Sequence, residues 1–76
     1  MARIRGLEEG KQSVGIHPTE VECFYQTVKG DNGEVYLHLT TFGSDGRQSK
    51  PKSSQSMQLS REVAKDLARL IDTIFP

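Results

Sequence analysis

Polar and apolar residues alternate in several stretches of this chain, and near the end the period lengthens to that of a helix. In Ala2 to Leu7, Ile4 lies on one side and Arg3 and Arg5 on the other, which predicts a short strand. Val21 to Lys29 and Glu34 to Phe42 are rich in β-branched and aromatic residues and predict two longer strands. Ser53 to Leu59 alternates again, with Gln55, Met57 and Leu59 one way and Ser54, Ser56 and Gln58 the other. Beyond it, Val63, Ala64, Leu67, Ala68, Leu70, Ile71, Ile74 and Phe75 recur at spacings of three and four. That stripe predicts a helix over residues 61–75. Ser60 suits its N-cap, and Glu62 in the first turn complements the helix dipole. Lys65, Asp66, Arg69 and Asp72 hold the opposite face. The expected order is β-β-β-β-α. This is an α+β fold, a four-stranded antiparallel meander followed by one C-terminal helix.

The connections refine that expectation. Gly30-Asp31-Asn32-Gly33 predicts a hairpin turn, because Asn-Gly supplies the positive φ angles of a type I′ turn. With Asn32 and Gly33 as its centre, Val28 faces Leu37, Gln26 faces Leu39 and Phe24 faces Thr41 on a mostly apolar face. Lys29 then faces Tyr36, Thr27 faces His38, Tyr25 faces Thr40 and Cys23 faces Phe42 on the other. A single bulge swaps the two faces. Glu8 to Thr19 reads as loop, with Pro18 pushing His17 towards an extended conformation. Gly43 to Lys52 is a polar loop rich in Gly, Ser and Pro. The organisation is one domain: first strand and loop in 1–20, sheet in 21–59, helix in 61–75.

Composition narrows the classes. The chain has 76 residues, one Cys and no Trp, with hydrophobics at 34%. At this length a lone core is marginal, and a staple or partner is expected. One Cys forms no internal disulfide, and no zinc ligand set is present. His17, His38 and Cys23 lack metal-ligand spacing, so neither metal nor cofactor is expected. Oligomerisation is the remaining staple. The helix stripe runs to the last residues, so Leu67, Leu70, Ile71, Ile74 and Phe75 are the expected contact of a homodimer. No apolar run reaches the roughly 20 residues of a membrane span, and Met1 to Gly6 lacks the core of a signal peptide. A cytoplasmic protein without a membrane partner is expected. Cys23 and His38 fall roughly 13 Å apart in the expected pairing, too far for a nucleophile and its base. No other catalytic set converges, and a non-catalytic protein is expected.

Charge adds the functional clue. Ten Lys and Arg balance ten Asp and Glu. The balance is uneven, however: residues 43–60 carry Arg47, Lys50 and Lys52 against Asp45, while residues 21–42 carry Lys29 against Glu22, Asp31 and Glu34. Arg3 and Arg5 form a second basic pair. Single-strand binding needs a positive track for phosphates and flat side chains for bases. Arg3, Arg5, Lys29, Arg47, Lys50 and Lys52 supply candidates for the track. Tyr25, Tyr36 and His38, with Phe42 beside them, supply candidates for stacking. The same residues also fit an ordinary solvated sheet face.

The strand hairpin, the basic linker Arg47-Gln48-Ser49-Lys50-Pro51-Lys52 and the passage Met57-Gln58-Leu59-Ser60-Arg61-Glu62 into a Ser-capped helix carry a resemblance. From Val21 to Phe75 the chain resembles the single-stranded-DNA-binding family of the transcriptional coactivator positive cofactor four, to which the Whirly proteins are distantly similar. The resemblance implies four antiparallel strands and a helix, dimerisation through the helices, and nucleic acid held on the sheet. The expectation is thus a non-catalytic homodimer that binds single-stranded DNA or RNA. The alternative is a protein–protein interaction or regulatory module using the same exposed sheet face. With zero net charge, any nucleic-acid affinity should be modest and salt-sensitive.

Overall fold

A computed structural model describes residues 1–42 and 53–76. Its elements are β1 (Ala2–Ile4), β2 (Cys23–Lys29), β3 (Val35–Phe42), β4 (Ser53–Leu59) and α1 (Arg61–Ile74). The four strands form one sheet in the order β1-β4-β3-β2, followed by the single helix, an α+β fold. β2 pairs antiparallel with β3, and β3 antiparallel with β4. β1 departs from the expected meander. It lies parallel to β4, with Ala2 opposite Met57, Arg3 opposite Gln58 and Ile4 opposite Leu59. The sheet is therefore mixed. This placement sets the half-buried Ile4 beside Leu59, the most buried side chain described.

The hairpin forms where Asn-Gly places it, but its turn differs from the expected type. Gly30 N–H donates to the Glu34 carbonyl at 2.7 Å, and Gly33 N–H donates to the Gly30 carbonyl at 3.1 Å. Gly33 has φ +84°, and no non-glycine among the described residues has a positive φ. A type I′ turn needs positive φ at both Asn32 and Gly33. The loop is instead the three residues Asp31, Asn32 and Gly33, a right-handed turn closed by one left-handed glycine. Asn32 fixes it from the side: its Oδ1 accepts from Glu34 N–H at 3.2 Å.

That one extra loop residue shifts every partner. Val28 faces Tyr36, Gln26 faces His38, Phe24 faces Thr40, Tyr25 faces Leu39, and Thr27 faces Leu37. Side chains alternate across a strand, so a shift of one exchanges the faces of β2 relative to β3. Cys23, Tyr25, Thr27 and Lys29 now share a face with Leu37 and Leu39. Phe24, Gln26 and Val28 share the other with Tyr36 and His38. A register shift between Thr41 and Phe42 then lets β3 continue to its pairing of Phe42 with Ser53.

The helix starts as its residues dictate. Ser60 takes an extended conformation, and its Oγ accepts from Val63 N–H at 3.4 Å. Arg69 and Asp66 form an ion pair one turn apart on the polar face. α1 packs on β3 and β4 through its first turns. Leu59 is 2% exposed and Val63 6%, and Ala64 and Leu67 are half-buried. These residues with Leu37 and Ile4 are the apolar centre. From residue 68 to the chain end every residue is exposed. The helix thus covers one end of one sheet face. Among the described residues no helix is long and apolar enough to cross a membrane.

Candidate nucleic-acid interface

The sheet face opposite α1 is built by the pleat alone. Phe24, Gln26 and Val28 come from β2, Tyr36, His38 and Thr40 from β3, Ser56 and Gln58 from β4, and Arg3 from β1. Phe42 joins them: its ring meets that of Phe24 edge-on, with centroids 5.3 Å apart. Such edge-to-face pairs are favoured by the ring quadrupoles. No strand residue named on this face is acidic. The centre is polar but uncharged, with aromatic rings towards two corners and arginine on one edge.

Arg3 ties the face together. A cleft of about 830 Å³ at the end of the sheet is lined by Arg3, Arg5, Tyr36 and Ser60, among others. A smaller one of about 210 Å³ is lined by Arg3, His38, Ser56 and Gln58. Arg3 lines both, so one residue borders the surroundings of Tyr36 and of His38. This proximity follows from the parallel pairing of β1 with β4.

Two side chains are oriented by neighbours. His38 Nδ1 is hydrogen-bonded to the Gln58 amide at 3.1 Å. Tyr36 O–H donates to Glu34 Oε2 at 2.7 Å, and Asn32 Nδ2 donates to Glu34 Oε1 at 2.5 Å. The Tyr36 bond first, and the Asn32 bond after it, hold the Glu34 carboxyl below the usual carboxylate range. The tyrosine is thereby tethered with its hydroxyl turned to the hairpin turn.

The expected residues divide as follows. Arg3 lies with Arg5 and Tyr36 at one cleft and with His38 at the other. Tyr25 and Lys29 do not join them, because the three-residue turn puts them on the helix side of the sheet, where Tyr25 is 79% exposed. Phe24 replaces Tyr25 as the β2 aromatic of this face. Arg47, Lys50 and Lys52 lie outside the described residues. Cys23 is exposed and on the opposite face from His38, which separates the two still further as a reactive pair. Leu70, Ile71, Ile74 and Phe75 are exposed at 44–74%, and Leu67 is half-buried. Phe24, Gln26 and Gln58 were missed by sequence reasoning, and only the parity of the turn could have found the first two. No protein-family model, curated protein or solved structure matches the chain.

Proposed function

We propose that the protein is a non-catalytic homodimer that binds single-stranded nucleic acid on the open sheet face. The observation that carries this is the gathering of Tyr36, His38, Phe24 and Phe42 on a face without acidic strand residues, bordered by Arg3 and Arg5. Bases stack on such rings at roughly 1–3 kcal/mol each, whatever their identity, because every base has a π-face. Phosphates pair with the arginines at the β1 edge. Gln26, Gln58 and Ser56 offer hydrogen bonds between them. In a duplex the base faces are already stacked and the phosphates lie outside, so this surface favours single strands.

The dimer forms through the part of α1 that the chain's own sheet leaves bare, Leu70, Ile71, Ile74 and Phe75, continuing from Leu67. Fluorescence anisotropy with a labelled single-stranded oligonucleotide and a duplex control, at two salt concentrations, tests the binding. The single strand should bind more tightly than the duplex and weaken steeply with salt. Tyr36→Ala should weaken it roughly 5- to 150-fold. Absence of binding to either at low salt overturns the proposal and leaves a protein-binding module as the use of this face.

A further inference from the structure

The chain exposes more surface than a compact monomer of its mass, and its radius of gyration of 14.8 Å is also larger than the roughly 11 Å of a compact domain of this length. Its accessible surface is 7375 Å², against about 4,700 Å² for a compact monomer of this mass. The difference is about 2,700 Å² per chain, or about 5,400 Å² for two chains, at the upper end of the total that obligate dimers bury. Two separate apolar regions contribute to it. One is the outer half of α1, where Leu70, Ile71, Ile74 and Phe75 are exposed. The other is the connection from β1 to β2.

That connection has an unusual task. β1 and β2 are the two edges of the sheet, and both run parallel to β4. Ile4, Leu59, Leu37 and Thr27 form one row across the four strands. Ile4 and Thr27 are therefore about 14 Å apart, and Cys23 lies four residues along β2, so the gap from Ile4 to Cys23 is about 20 Å. Residues 5–22 bridge it, a length of chain able to reach about 60 Å. Every one of these residues is exposed. A crossover between edge strands normally covers a sheet face. This one covers neither, and it holds Val14 at 80% and Ile16 at 98% exposure.

We propose that this arm is an exchange element: the Val14–Ile16 stretch of one copy lies along the outer half of α1 of a second copy. The inference rests on the homodimer proposed above and adds its second half. Spacing supports the fit. Two residues apart in an extended chain, Val14 and Ile16 project on the same side about 6.7 Å apart. Leu70 and Ile74, one turn apart on the helix, are about 6 Å apart. The two rows match. The arm is about three times longer than its own crossing requires, which gives it the reach to leave its chain. Under a two-fold axis both regions are buried twice, and each protomer completes the other.

Engineered cysteines test this in the Cys23→Ser background. Chains carrying Ile16→Cys are co-refolded with chains carrying Ile74→Cys and mildly oxidised. The expected product is a covalent heterodimer joining position 16 of one chain to position 74 of the other, identified by peptide mass. In the doubly substituted chain the same bond should give a covalent dimer. A monomeric disulfide in that chain, with no heterodimer from the mixture, overturns the exchange. So does a dimer linked only through 74 to 74, which leaves the helix contact standing without the arm. Light scattering of Val14→Asp/Ile16→Asp gives an independent readout: the dimer fraction should fall at least tenfold, and an unchanged dimer overturns the proposal. Oligonucleotide anisotropy on the unsubstituted protein, run alongside, reports separately on nucleic-acid binding.

Discussion

The residue that most constrains the open face is Glu34, although it is neither aromatic nor basic. Its carboxylate takes hydrogen bonds from Tyr36 and Asn32, both of which favour the ionised form and lower its pKa. The sign follows directly. The Tyr36 tether is fully present above the ordinary carboxylate range and is lost as pH falls through the lowered value. Carboxyl-carbon NMR should place the Glu34 midpoint below that of a solvated glutamate. Tyr36→Phe removes the main donor and should raise that midpoint towards the usual value. An unchanged midpoint in Tyr36→Phe would show that the hydroxyl does not hold the carboxylate. The neighbouring Gly33 is constrained in another way. At φ +84° an added Cβ meets no neighbouring atom, so Gly33→Ala is opposed by backbone strain alone. The cost should be about 1 kcal/mol, read as a lower denaturation midpoint with unchanged m-value.

At the scale of elements, the strands and helix were legible because each depends on a local signal. β-branched and aromatic content marks β2 and β3, alternation marks β4, and the three-four stripe marks α1. The Ser60 cap is present as its residue type implies, and Ser60→Ala should cost about 1 kcal/mol in urea unfolding followed by helical circular dichroism. What the pattern left open was parity. Asn32-Gly33 suits a two-residue turn with two left-handed residues, and equally a three-residue turn with one. No local signal separates them, and the three-residue turn sends Phe24 and Val28 to the face away from the helix. Only the three-residue turn puts Thr27 opposite Leu37 and Val28 opposite Tyr36. The consequence for the site is concrete: Tyr25 leaves it and Phe24 enters. Likewise the parallel docking of β1 pairs residues more than fifty positions apart, and no local period reports on it. Yet it brings Arg3 to Tyr36 and His38. The residues proposed for the site were thus legible on β1 and β3, while the docking of β1 and the facing of β2 were not.

At the scale of the whole molecule, a formal charge of zero and a nucleic-acid site are compatible only if few cations act and they act together. Counterion release makes this countable. For single strands the slope of log K against log salt is about −0.7 for each phosphate neutralised. In a homodimer every arginine appears twice. If one strand crosses both protomers, Arg3→Ala removes two phosphate contacts and should make the slope shallower by about 1.4. If each protomer holds its own strand, the change should be about 0.7. Anisotropy titrations of the unsubstituted protein and Arg3→Ala across a salt series separate the two cases. An Arg3→Ala slope equal to the original places the phosphates elsewhere, and the same series on Lys50→Glu/Lys52→Glu then asks whether the polar loop supplies the track. The larger change would show that a dimer built on the outer half of α1 presents both faces to one strand. A neutral chain then gains by pairing what its sequence cannot concentrate: two arginine edges along one phosphate backbone.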